Sequence, residues 1–146
     1  MKTNKSFIIL FTFLSLILLL TGCSKLNKKN HIKVDGDNII IEQRIEEKDE
    51  YELFKEMNES ENVQKVKDIL EEITWVHATV DMAYPPHYRF HFENSTKETV
   101  GFRYDLWISP NRDKIELNID SEDKYIQFDE EKSSELFQLL TGKELE

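Results

Sequence analysis

Apolar and polar residues alternate with a period of two through the second half of the chain. The alternation runs through residues 88–93, 100–108, 115–119 and 125–128, and polar turns separate these stretches. Successive side chains of a strand point to opposite faces of a sheet. The pattern therefore predicts an antiparallel meander with one buried face and one open face.

The same alternation assigns individual side chains to the two faces. The buried face is predicted to hold Tyr88, Phe90, Phe92, Phe102, Tyr104, Leu106, Leu117 and Ile119. The open face is predicted to hold His87, Arg89, His91, Glu93, Arg103, Asp105, Trp107, Glu116 and Asn118.

The residues before this meander predict a hairpin, a helix and one further strand. Residues 39–45 and 51–57 form the hairpin, although 51–57 also fits a helical period. Asn58 and Glu61 are spaced as a capping box. The helix after them carries an apolar stripe of Val63, Val66, Ile69, Leu70 and Ile73. Residues 75–82 predict a strand that ends before Pro85 and Pro86.

A last helix, rich in leucine, follows Asp129 as its N-cap and ends at Gly142. The predicted fold is therefore a single α+β domain over residues 39–146. Its antiparallel meander sheet has one face covered by two helices. About 100 residues suffice for one such core without disulfides.

The first 23 residues have the pattern of a lipoprotein signal peptide. Lys2 and Lys5 precede an uncharged apolar run, residues 7–20, which is shorter than the roughly 20 residues of a spanning helix. Leu20, Thr21 and Gly22 then form a signal-peptidase recognition sequence before Cys23, the only cysteine. We expect cleavage after residue 22 and acylation of Cys23. An uncleaved anchor helix is the alternative, and it also places the domain outside the cytoplasm.

Residues 23–38 are predicted to be the lipidated cysteine and a flexible tether. The tether is polar and carries Lys25, Lys28 and Lys29, which can lie against acidic lipid headgroups. Its end, residues 35–38, has the composition of a turn. A calcium loop would need a longer series of oxygen ligands.

Charge excludes one class of partner. The formal net charge is −10, and removal of the two leader lysines leaves about −12 on the mature chain. Such a surface repels nucleic-acid phosphates, so we expect no nucleic-acid binding.

Trp107 gives the open face its sharpest functional hypothesis. A tryptophan among charged side chains is unusual, because its large apolar area favours a partner. Arg89, His91, Arg103 and Asp105 are predicted to surround it. This surface is therefore a candidate site for a peptide, a glycan or an envelope protein. The alternative is that the amino-terminal hairpin or the tether covers Trp107.

Motifs for catalysis or metal binding are not found. The serines lie outside any Gly-x-Ser-x-Gly elbow, and four scattered glycines make no phosphate loop. His87 and His91 on one strand face lie about 13 Å apart, too far to share a metal. His91 can instead approach a carboxylate on the neighbouring strand, and Asp105 is one candidate. We therefore expect neither a metal nor a cofactor.

Two stretches resemble a known family. Asp81-Met82-Ala83 leading through Pro86 to Tyr88, and Tyr104-Asp105-Leu106-Trp107-Ile108, are similar to the YhfM-like family of small Bacillus-type lipoproteins. Tyr125 and the closing helix extend the resemblance over roughly residues 51–142. The doubled Pro85-Pro86 and His87 depart from the family pattern. The family has no assigned activity, so the resemblance implies a fold and a cellular location but no functional residue.

These observations predict an extracytoplasmic lipoprotein, held on the outer side of the cell membrane by Cys23. Its domain is expected to be a non-catalytic binding module. A small cell-envelope hydrolase with an unrecognised site is the alternative.

Overall fold

A computed structural model describes residues 32–46, 48 and 50–146. The described residues form seven strands, two α-helices and one turn of 3₁₀-helix over Asp120–Glu122. The helices are α1 (Ser60–Glu72) and α2 (Glu130–Thr141). The strands are β1 (Asn38–Arg44), β2 (Tyr51–Met57), β3 (Val76–His77), β4 (Tyr88–Asn94), β5 (Thr99–Ile108), β6 (Ile115–Ile119) and β7 (Lys124–Gln127). The predicted signal peptide, Cys23 and most of the predicted tether lie outside these residues.

All seven strands belong to one sheet in the order β2-β1-β4-β5-β6-β7-β3. Every neighbouring pair among these described strands is antiparallel. The predicted α+β class and the meander from β4 to β7 are therefore confirmed. Tyr51–Met57 is a strand, which decides between the two periods that its sequence allows.

Both helices contribute to a core on one face of the sheet, which we call the covered face. The Phe90 and Tyr104 rings stack there with centroids 4.7 Å apart, and Phe137 of α2 packs edge-on against Tyr88 at 5.8 Å. Seven of the eight side chains predicted for this face are buried. Phe102 is 38% exposed, because β5 continues there past the end of β6 and away from the core.

The helix ends show one prediction confirmed and one wrong. Asp129 caps α2 by accepting a hydrogen bond from the Lys132 backbone N–H at 2.8 Å. Gly142 ends the same helix with a φ of +73°. At the start of α1 the N-cap is Glu59 and not Asn58, so the predicted capping box does not form in the described structure.

Residues 32–37 pack against the domain, although the sequence assigns them to the tether. Ile32 and Val34 are buried in the core, and the Val34 N–H donates to Glu71 Oε1 at 3.0 Å. Gly36, with a φ of +146°, lies against Phe92. The folded domain therefore begins before the predicted boundary at residue 39, because the side chains of Ile32 and Val34 complete the core.

The strand predicted over residues 75–82 is present only at Val76–His77. Trp75 turns into the core, where its indole N–H donates to the Leu70 carbonyl oxygen at 3.3 Å. The Ala78 N–H bonds the Asp123 carbonyl oxygen at 3.0 Å, and the chain then leaves the sheet edge. Residues 80–86 cross the open face, and we call them the covering segment.

Candidate functional site

The strand register aligns five polar side chains across the open face. One side chain comes from each of β1, β4, β5, β6 and β7. We call this set the polar row: Glu42, Arg89, Asp105, Asn118 and Tyr125. The row arises because these residues occupy the polar positions of alternating strands and pair directly with one another. Its centre is the part of the open face that the sequence singles out.

Asp105 at the centre of the row is only 6% exposed and lies between two arginines. Its Oδ1 accepts from Arg89 Nε at 3.1 Å and lies 3.3 Å from Arg103 Nε. Burial raises the pKa of Asp105 above its ordinary value, and the two guanidinium groups offset only part of that rise. The carboxylate therefore organises Arg89 and Arg103 on one surface.

Tyr51 extends this cluster to the outer hairpin. The Arg89 guanidinium lies 3.7 Å from the centroid of the Tyr51 ring, in a cation–π contact. The Tyr51 hydroxyl donates to the Pro86 carbonyl oxygen at 2.7 Å. Tyr51 thus connects β2, β4 and the covering segment, a role that sequence spacing does not reveal.

Trp107 lies on the open face but is only 5% exposed. Its indole N–H donates to the Tyr84 carbonyl oxygen at 2.8 Å, and the Tyr84 hydroxyl donates to the Ile108 carbonyl oxygen at 3.4 Å. The cover comes from the covering segment. Among the described residues, neither the amino-terminal hairpin nor the tether, the two predicted alternatives, covers Trp107. Trp107 therefore anchors the covering segment and is not an exposed contact surface.

His91 lies in β4, His87 lies just before it, and the two side chains contact different partners. His91 Nε2 lies 3.2 Å from Glu93 Oε1 on its own strand, so the expected approach to Asp105 is wrong. Asp105 forms ion pairs with Arg89 and Arg103 instead. His87 Nδ1 accepts from the Ile108 N–H at 3.1 Å. Burial, together with Arg44 and Arg112, lowers the pKa of His87, which is consistent with a neutral imidazole that accepts a hydrogen bond.

The five predicted site residues are therefore only partly brought together. Arg89, Arg103 and Asp105 form one cluster, and His91 pairs with Arg103 across the strands while its ring turns to Glu93. Trp107 lies beneath the covering segment. Within the described residues, no group of three or more His, Cys, Asp or Glu side chains is placed to hold a metal ion. None of the described helices combines the length and apolarity that a membrane span requires.

Comparison with known proteins assigns the chain to a family but not to an activity. A family model described as YhfM protein matches residues 32–146. The chain belongs to the YhfM family. Searches of curated proteins and of solved structures give no significant match. The YhfM match includes residues 32–38, in agreement with the burial of Ile32 and Val34 in the domain core.

The two stretches that carry the resemblance to YhfM meet in the structure. Residues 81–86 form most of the covering segment, and residues 104–108 lie in β5 beneath it. The bond from Trp107 to Tyr84 joins them directly. Together these two stretches therefore form one surface of the YhfM domain, where the covering segment lies over β5.

The pKa of Asp105 gives a pH-dependent prediction. Because the folded pKa of Asp105 lies above the ordinary value of about 3.9, the contribution of this group to stability should be greatest below that value and fall as the pH rises through the folded pKa. Asp105→Asn removes the titrating group and should remove this fall. Urea unfolding of both proteins between about pH 3 and pH 8 measures it.

Asp113→Asn is the matched control with the opposite sign. A hydrogen bond from the Ser109 hydroxyl lowers the pKa of Asp113, so its stabilising contribution is lost as the pH falls through the folded pKa. Parallel stability curves for wild type and Asp105→Asn across the acidic range would show that burial does not dominate at Asp105.

Proposed function

We propose that this YhfM protein is an extracytoplasmic lipoprotein whose domain is a non-catalytic binding module. The observation that carries the proposal is the position of Cys23, the only cysteine, directly after a basic start, a short apolar run and Leu20-Thr21-Gly22. Alkylation of this thiol by a diacylglyceryl group would give stable membrane attachment, because each buried methylene contributes roughly 0.8 kcal/mol and the two acyl chains act together.

The charge distribution supports this arrangement. Lys25, Lys28 and Lys29 follow the proposed anchor, where each can gain about 1 kcal/mol against acidic lipid headgroups. The rest of the mature chain is strongly acidic and is repelled by the same headgroups. The domain would therefore stand away from the bilayer with its surfaces accessible to a partner.

The open face supports a binding function. The central ionisable groups are held by one another: Asp105 by Arg89 and Arg103, and His91 by Glu93. Leu53, which shares this face through its pairing with Glu42, is nevertheless 63% exposed. An exposed apolar side chain on the same face as paired arginines suits recognition of an envelope protein, peptide or glycan, and paired groups suit recognition better than proton transfer.

Metabolic labelling tests the anchor. Cells that produce the full chain in the presence of labelled palmitate should incorporate label into the wild-type protein. Cys23→Ser should abolish the label and change the processing and location of the protein, because the serine hydroxyl is not a substrate for thioether formation. Ser24→Ala, next to the anchor, is the control and should label normally. Labelling of Cys23→Ser, or absence of label in the wild type, would refute the lipoprotein proposal.

A further inference from the structure

The covering segment is held to the sheet by few contacts. Residues 80–85 have no regular secondary structure, and none of them is buried. The Tyr84 carbonyl oxygen accepts from the Trp107 indole N–H at 2.8 Å, and the Pro86 carbonyl oxygen accepts from the Tyr51 hydroxyl at 2.7 Å. Segments with few buried apolar contacts open locally at a free energy below that of global unfolding. The covering segment is therefore suited to opening while the sheet stays folded.

His87 fixes the end of the covering segment to β5. Its backbone N–H donates to the Leu106 carbonyl oxygen at 2.8 Å, and its Nδ1 accepts from the Ile108 N–H at 3.1 Å. The Tyr84 ring packs edge-on against the imidazole, with the two ring centroids 5.5 Å apart. The His87 side chain therefore contacts both the covering segment and the strand that this segment covers.

The hydrogen bond from Ile108 requires a neutral imidazole. A backbone N–H can only donate, so His87 Nδ1 must carry a lone pair and the ring proton must be on Nε2. In the imidazolium ion both ring nitrogens carry protons. The N–H groups of Nδ1 and Ile108 would then point at each other. Protonation of His87 therefore breaks this bond and replaces it with repulsion.

The charges around His87 also oppose its protonation. Titratable side chains from β1 and the turn after it, from β4, from the β5–β6 turn and from the residues after α2 line the cavity beside its ring. They are Arg44, Glu46, Tyr88, Arg112, Lys143, Glu144 and Glu146. None of these carboxylates forms an ion pair with His87 within the described part of the chain. Burial, together with Arg44 and Arg112, lowers the pKa of His87.

We propose that His87 is an acid-sensitive switch that releases the covering segment and exposes Trp107 on the open face. At neutral pH the imidazole accepts from the Ile108 N–H and supports the Tyr84 ring. In acid the imidazolium repels that N–H, and the covering segment moves away from β5. The switch rests on the proposed function in one respect, because the surface that it exposes is the one assigned to partner binding. An extracytoplasmic domain meets the external pH directly, so acidity would regulate this surface.

Acid favours the open form because the open form binds the proton more tightly. In the open form His87 is solvated, and its pKa is close to the ordinary value of about 6.5. In the closed form its pKa is lower. The closed-to-open ratio is therefore constant above about pH 6.5 and falls up to tenfold for each pH unit between the two pKa values.

The test is ¹⁹F NMR of the full chain, labelled with 5-fluorotryptophan, between about pH 7.5 and about pH 4.5. The two tryptophans give two signals. As the pH falls, the Trp107 signal should acquire the H₂O–D₂O solvent isotope shift of an exposed ring. The Trp75 signal should not, because Trp75 is 2% exposed in the core. The midpoint of the Trp107 change should coincide with the midpoint of the His87 titration, followed by its imidazole signals.

His87→Asn separates the switch from other effects of acid. Asparagine Oδ1 is as many bonds from the backbone as histidine Nδ1, so it retains an acceptor for the Ile108 N–H but does not titrate in this range. The Trp107 signal of His87→Asn should therefore not change with pH. His91→Asn is the matched control, because His91 Nε2 lies against Glu93 Oε1, and this variant should open as wild type does.

Three outcomes would overturn the switch. They are a Trp107 signal that does not change across this pH range, the same change in His87→Asn, and a joint change of Trp75 and Trp107, which would mean global unfolding. Should His87→Asn not fold, different midpoints for His87 and Trp107 in the wild type overturn the switch by themselves. None of these outcomes bears on palmitate labelling of Cys23, so their occurrence would leave the lipoprotein proposal in place.

Discussion

Replacement of Trp107 by alanine should lower the free energy of unfolding by about 3–5 kcal/mol, the range for large buried aromatic side chains. Trp107 is 5% exposed, and its indole N–H bonds the Tyr84 carbonyl oxygen at 2.8 Å. The change removes the side chain on which the covering segment rests. Urea unfolding followed by circular dichroism measures the loss.

Trp107→Phe is the matched control for this prediction. Phenylalanine retains most of the apolar area and loses the indole hydrogen bond, so we expect a loss of about 1–2 kcal/mol. If Trp107→Ala cost less than about 1 kcal/mol, the covering segment would not be packed on this side chain. The open face of β5 would then be accessible, as it must be if Trp107 contacts a partner.

Gly36→Ala should lower the free energy of unfolding by about 2–4 kcal/mol, through backbone strain and overpacking together. Gly36 has a φ of +146°, and a Cβ there would lie 2.7 Å from Phe92 Cβ and 2.9 Å from the Glu93 carbonyl oxygen. Both neighbours belong to β4, a central strand that cannot move away cheaply. Equilibrium urea unfolding gives the difference from wild type.

Gly142→Ala separates strain from overlap. Gly142 also has a positive φ, +73°, but an added Cβ would meet no atom within 4 Å. We expect a loss of about 1–2 kcal/mol, the cost of a left-handed backbone alone. Equal losses at the two glycines, or none at Gly36, would mean that residues 32–37 do not hold their packed position.

The sheet could be predicted from the sequence because its side chains obey a strict period of two. Tyr88, Phe90 and Phe92 alternate with polar residues, and one face of the sheet is buried under helices. The period weakens where tertiary contacts decide. Val76–His77 is a strand, but Thr79 bonds the Asp123 side chain, and the following residues leave the sheet to cover Trp107.

The candidate site was predicted less completely than the sheet. Alternation places Arg89, Arg103 and Asp105 on one face, and the structure confirms that they form a cluster. The alternation could not show that Trp107 is covered, because the cover depends on how a proline-containing segment folds back over β5. Alternation also places Asn118 on the open face, and the structure confirms this, because Asn118 pairs with Asp105 across β5 and β6.

Site-specific photocrosslinking in intact cells tests whether the open face is the binding surface of the domain. A photoreactive phenylalanine at Leu53, exposed on the open face, should form a discrete crosslinked product with an envelope component. The same group at Gln64, on the exposed side of α1 away from the sheet, should form none. Crosslinking from Gln64 alone, or equally from both positions, would contradict partner binding at the open face.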